Sequence, residues 1–185
     1  MDLPNLASPA DETAPPLLDD SHYFDHVRKI NDVYYDQVRL ADQKAAYIFT
    51  FMIAFLVSSS EARQIFSAQR YESGEPLTIA LSALVGLSLV VSLVSAILVV
   101  LPRYSEKSTS LFWGGWKTNR VKLLAARALC DPKYLFEEYL SNIDALAAIS
   151  RAKFGFLRVS FRGLVVVVVG YVLLLVLQTG TNTPA

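Results

Sequence analysis

The sequence predicts an all-α membrane protein, with three transmembrane helices and a helical cytosolic bundle. Three observations carry that prediction. The chain holds three uncharged apolar runs, at 45–60, 77–101 and 163–177. Its 185 residues are 53% hydrophobic, more than a soluble domain usually carries, which leaves too little polar sequence to cover three such runs. The polar stretches beside the runs keep a helical period, so they are expected to be helices as well. One domain is the natural reading at this length.

Residues 1–21 hold Asp2, Asp11, Glu12, Asp19 and Asp20 with Pro4, Pro9, Pro15 and Pro16, and no Lys or Arg. They read as a disordered acidic lead. A basic start and an early apolar run are both missing, which argues against a secretory signal. In 22–44, Phe24, Val27, Ile30, Tyr34, Val38 and Ala41 recur at spacings of three and four. One face of this cytosolic amphipathic helix is therefore apolar and needs a partner. The run 45–60 continues it as a first span. Its sixteen residues cover roughly 24 Å, short of a hydrocarbon core of about 30 Å, so Lys44 is expected to snorkel. An outer loop, 61–76, follows. The second span, 77–101, lies between Pro76 and Pro102. The cytosolic segment 102–162 contains Asp131-Pro132, an acidic cap before proline, which is the pattern of a helix start. From there Phe136, Leu140, Ile143, Ala147, Phe154, Leu157, Phe161 and Leu164 keep a near-helical period into the third span, 163–181. Residues 182–185 are left as an outer tail.

Net charge is zero, but its distribution is uneven. Residues 103–162 hold eleven Lys or Arg against five acids, and Arg28, Lys29, Arg39 and Lys44 precede the first span. Basic residues beside spans stay in the cytoplasm. The expected topology has the N-terminus in the cytoplasm, 61–76 outside, 102–162 in the cytoplasm and the C-terminus outside.

Nothing here spells an enzyme. The sequence has no GxGxxG, P-loop, GxSxG or HExxH, so no catalytic residue is expected. Cys130 is the single cysteine, which excludes an internal disulfide and a thiolate cluster. His22 and His26 lack the further ligands a metal needs, so no metal site is expected. Two clusters do carry chemistry. The loop 104–120 combines Trp113 and Trp116 with Lys117 and Arg120 around Gly114-Gly115, the rings and cations that suit either a nucleotide or a headgroup belt. Arg151, Arg158 and Arg162 form a basic stripe on one helix face, fit for anionic lipid, a phosphate or an acid of a neighbouring helix. Asp42 and Lys44 stand at the mouth of the first span, where an unpaired acid is costly. They are expected to pair with charges of the third helix, Asp42 with Arg158 or Arg162.

The stretch INDVYYDQVRLADQKAAYIFTFMIAFL, with its Ala41-Asp42-Gln43-Lys44-Ala45 motif ahead of a span, resembles the Pycsar effector family of bacterial anti-phage signalling. The run Lys153-Phe154-Gly155-Phe156-Leu157-Arg158 ahead of the last span fits the same pattern, and the resemblance covers about 24–177. It implies a cyclic-nucleotide-responsive effector of the bacterial inner membrane that oligomerises or rearranges and destroys membrane integrity. The implied activating ligand is a cyclic nucleotide, a pyrimidine cyclic mononucleotide by family expectation. The implied partners are the lipid bilayer, further copies of the chain as a homo-oligomer, and a nucleotide cyclase, with no nucleic acid. No cofactor is implied. The candidate nucleotide contacts are Trp113, Trp116, Lys117, Arg120 and Arg151. A holin-like or channel-forming protein without nucleotide control, and a passive membrane anchor, are the competing readings.

Overall fold

The computed structural model describes residues 20–73, 75–103, 109–111 and 115–181. Regular structure among them is helical: α1 Asp20–Ser58, α2 Ser60–Gln64, α3 Ala68–Ser73, α4 Pro76–Val100, α5 Trp116–Ala128 and α6 Pro132–Thr181. Three of these, α1, α4 and α6, are long and apolar enough to cross a membrane. With no water in a hydrocarbon core, a helix is the way one segment satisfies its own backbone there. The chain is an all-α membrane protein.

The helix ends follow local chemistry. α4 starts with Pro76 in its first turn, where the missing N–H has no partner to lose, and stops before Pro102. α6 begins at Pro132, and Asp131 accepts from the Lys133 amide at 3.0 Å. α5 ends in a Schellman turn, in which the Asp131 amide donates to the Ala126 carbonyl at 3.0 Å and the Cys130 amide to the Arg127 carbonyl at 3.2 Å. The turn needs a left-handed residue, and Cys130 takes that place at φ 50°. The segment expected as an outer loop is itself largely helical, as α2 and α3. Ser59 caps α2 by accepting from the Ala62 amide at 3.1 Å, and the Tyr71 hydroxyl donates to the Ile65 carbonyl at 2.7 Å.

α1 and α6 are rods of 39 and 50 residues, about 58 and 75 Å long. They run parallel. Asn31 meets Asn142, Asp42 meets Lys153, and Ser59 meets Tyr171, so the register between them holds along the pair. α4 runs antiparallel to both, with Ser92 opposite Ser160 and Val99 opposite Lys153. Buried positions recur every three, four or seven residues along the helices: Ala41, Ala45, Ile48 and Met52 on α1, Val85, Leu89, Ser92 and Val99 on α4, Leu146, Lys153, Ser160, Val167 and Leu174 on α6. That is the seam of a left-handed helical bundle. The apolar face expected of 22–44 does turn inward, with Val27 and Ala41 buried and Phe24, Ile30, Tyr34 and Val38 half-buried. On α6 the expected face is rotated. Leu140 and Phe161 lie exposed, and Asn142, Ser150 and Ser160 are buried in their stead.

α4 and α6 approach closely because small residues line their contact. The Ser92 hydroxyl donates to the Ser160 carbonyl at 2.6 Å, and the Ser160 hydroxyl donates back to the Ser92 carbonyl at 2.9 Å. A Cβ added at Gly163 would stand 2.8 Å from Ser92 Cβ and 3.0 Å from the Ser88 carbonyl oxygen, and one at Gly170 would collide with Val85 Cγ2. Ser88 is the middle residue of α4, so Gly163 sits at mid-depth of that span.

Candidate functional site

Each helix that crosses the membrane contributes to one point. Lys153 of α6 is 4% exposed, and a buried ammonium needs partners. It has two. Lys153 Nζ donates to Asp42 Oδ1 of α1 in an ion pair, and to the Val99 carbonyl of α4 at 2.7 Å. The second contact has a local cause. The last carbonyls of a helix lack intrahelical donors, and Pro102 has no N–H to offer. The Lys153 ammonium thus caps α4, where a cation also suits the negative end of the helix dipole. Asp42 keeps its side chain 36% exposed, so water reaches the carboxylate but not the ammonium. Beside this knot, Arg103 stacks 5.2 Å above the Phe156 ring.

The pairing corrects the expectation for Asp42. Its partner is Lys153, not Arg158 or Arg162, which lie exposed on the opposite face of α6. Residues 151, 158 and 162 share a stripe, and 153 lies about 200° around the helix from 151, which turns Lys153 to the core. Lys44 is exposed too, and enters no ion pair among the described residues. The spacing of seven from Leu146 through Lys153 to Ser160 was the signal that could have singled out Lys153.

Beyond the knot, away from the spans, the bundle is held by polar bridges. Thr109 donates to Asn142 Oδ1 at 3.1 Å, and Asn142 Nδ2 donates to Asn31 Oδ1 at 2.7 Å. The Ser110 amide and hydroxyl both donate to Glu138 Oε2, at 2.7 and 2.8 Å. The Phe24 and Tyr139 rings meet edge to face at 5.4 Å. Of the candidate nucleotide contacts, Trp113 lies outside the described residues. Trp116, Lys117 and Arg120 sit in the first two turns of α5, all exposed, and Arg151 is exposed on α6. Among the described residues, two cavities between the bundle helices are lined by other residues. One of about 650 Å³ lies between the starts of α1 and α6, against Tyr23, Phe24, Lys133 and Phe136. The other, about 520 Å³, lies between α5 and α6, against Leu123, Arg127, Tyr134 and Leu135.

The family described as the Pycsar effector protein domain matches residues 26–180, from the second turn of α1 to the end of α6. The chain belongs to this family. No curated protein and no solved structure matches it. This Pycsar effector is a transmembrane protein of anti-phage defence, placed in a lipid bilayer and in a cyclase-linked system. The match takes in the three spans, the knot and the bundle together.

Proposed function

We propose that this Pycsar effector is a cyclic-nucleotide-triggered disruptor of the bacterial inner membrane. One observation carries the reading. α1 and α6 pass without a break from the polar bundle into the spans, and Lys153 ties both to the end of α4 at the junction. A change in how the bundle helices pack is therefore carried into the membrane by stiff rods. A ligand can move such an equilibrium only by binding one arrangement better than the other. In this reading the ligand is a cyclic nucleotide, a pyrimidine cyclic mononucleotide by family. It binds on the bundle with Lys117, Arg120 or Arg151 meeting the phosphate and Trp113 or Trp116 stacking on the base. The bundle lies in the cytoplasm, where a cyclase makes the signal, because the basic residues cluster there. Copies of the chain then repack as a homo-oligomer and the bilayer leaks. The protein performs no chemistry on the ligand.

The test is dye release from liposomes that hold the purified protein, with and without cyclic mono- and oligonucleotides. Release that depends on one nucleotide, with a matching rise in thermal stability, is the expected result. Equal release in every condition would assign a holin-like protein, and no release in any would assign an anchor.

A further inference from the structure

Once Lys153 has taken Asp42, two cations remain on the outside of the bundle at a depth where cations are rare. Gly163 packs against Ser88 and Ser92, and Ser88 is the middle of the 25-residue α4. Arg162 precedes Gly163, so its Cα lies close to the mid-depth of the α4 span, about 18 Å from the Pro102 end. Arg158 lies one turn nearer that end. Both are exposed, and neither enters an ion pair among the described residues. An extended arginine reaches roughly 7 Å toward the surface, which leaves the Arg162 guanidinium about 10 Å short of it. Facing lipid there, a cation costs about 3 kcal/mol on the most lenient scale and far more on others.

Among the described residues no carboxylate relieves that cost. Runs 45–60, 77–101 and 163–181 contain no acid, and Asp42, Glu61 and Glu75 stand at their ends. A second copy in the same bilayer and orientation offers the same residues at the same depth, so it brings no partner either. What remains is water or a lipid phosphate, and a guanidinium about 10 Å short of the surface favours water. We infer that the Arg158–Arg162 face of α6 lines a water-filled, anion-favouring path enclosed between copies of this chain. Below Arg162 the same side of α6 turns apolar, with exposed Val165, Val166 and Val169. The path therefore has a cationic vestibule and a hydrophobic constriction, a combination that gates by dewetting. This inference rests on the disruptive reading above, and adds a pore with a charge preference where that reading asks only for leakage.

Water at this depth is read directly by cysteine accessibility, measured with and without cyclic nucleotide and needing no current. In a Cys130→Ser background, Arg162→Cys and Arg158→Cys are exposed in proteoliposomes to membrane-impermeant thiosulfonates, one anionic and one cationic. Leu87→Cys, on an outward face of α4 at nearly the same depth, is the lipid-facing control. Modification at 158 and 162, faster with the anionic reagent, and none at 87, is expected. A position 162 as inert as position 87 both with and without nucleotide overturns the inference. In planar bilayers Arg162→Gln should lower the chloride-to-potassium permeability ratio by about threefold or more, and Arg162→Lys should keep it. A conducting Arg162→Gln protein with the wild-type ratio overturns the inference and hands the cation to lipid phosphates. Nucleotide-triggered leakage with an inert position 162 sinks this inference alone. A labelled position 162 without any leakage sinks the disruptive reading and, with it, the conducting path built on it.

Discussion

Lys153 and Asp42 are unequal partners, and the inequality makes a prediction. The ammonium is buried, whereas the carboxylate keeps contact with water. Asp42→Ala strands a buried cation and should destabilise the protein by about 3 kcal/mol. Lys153→Met leaves a hydrated carboxylate and an uncapped Val99 carbonyl, and should cost only about 1–2 kcal/mol. The double variant should be more stable than Asp42→Ala alone, because the stranded charge is gone. Denaturation in detergent measures all three, and a double variant as damaged as the sum of the singles would refute the pairing energetics. Cys130 offers a second check. A side chain in the left-handed region is strained by about 1 kcal/mol, and glycine relieves most of that. Cys130→Gly should raise the melting temperature, whereas Cys130→Val, with its branched Cβ, should lower it.

The α4–α6 pair behaves as a unit whose distance is set by side-chain size. Gly170 leaves no room for a methyl against Val85, whose branched side chain has few rotamers to retreat into. Gly170→Ala should cost about 1–3 kcal/mol despite the higher helix propensity of alanine, and Val85→Ala should restore part of it. Full stability of Gly170→Ala would show that the helices are free to slide apart. The Ser92–Ser160 exchange of hydrogen bonds adds direction to this contact. It satisfies both hydroxyls where no water is at hand and so holds one register between the two helices.

Orientation belongs to the assembled chain. Its basic residues gather before the first span and between the second and third, nine of them at 103–153 with Arg158 and Arg162 set aside, which argues that the bundle is cytoplasmic and that α2 and α3 lie outside. Single cysteines in the Cys130→Ser background should be labelled at position 68 from the periplasm of intact cells, and at position 117 only after permeabilisation. Labelling of position 117 in intact cells would invert the topology and place the bundle out of reach of a cytoplasmic signal. The rod-like α1 and α6 also predict that the knot and the bundle respond together. Under the proposed nucleotide trigger, Asp42→Ala should therefore shift the nucleotide dose at which leakage begins, where a defect confined to folding would lower its amplitude alone.

Much of this architecture was legible in the residues. Lipid requires long uncharged helices, so the runs at 77–101 and 163–177 announce themselves, and the three-and-four spacing from Phe24 to Ala41 marks the inward face of α1. Proline at 76, 102 and 132 marks where helices start and stop. The partner of Asp42 was not legible. Lys153 stands 111 positions away, and whether it or Arg158 faces α1 depends on the rotation of α6 about its axis. That rotation is decided by close packing at Ser160, Gly163 and Gly170, contacts between residues far apart in the chain. Local patterns report which segments leave water, because burial acts on each residue separately. Which charges meet follows from how three helices fit together.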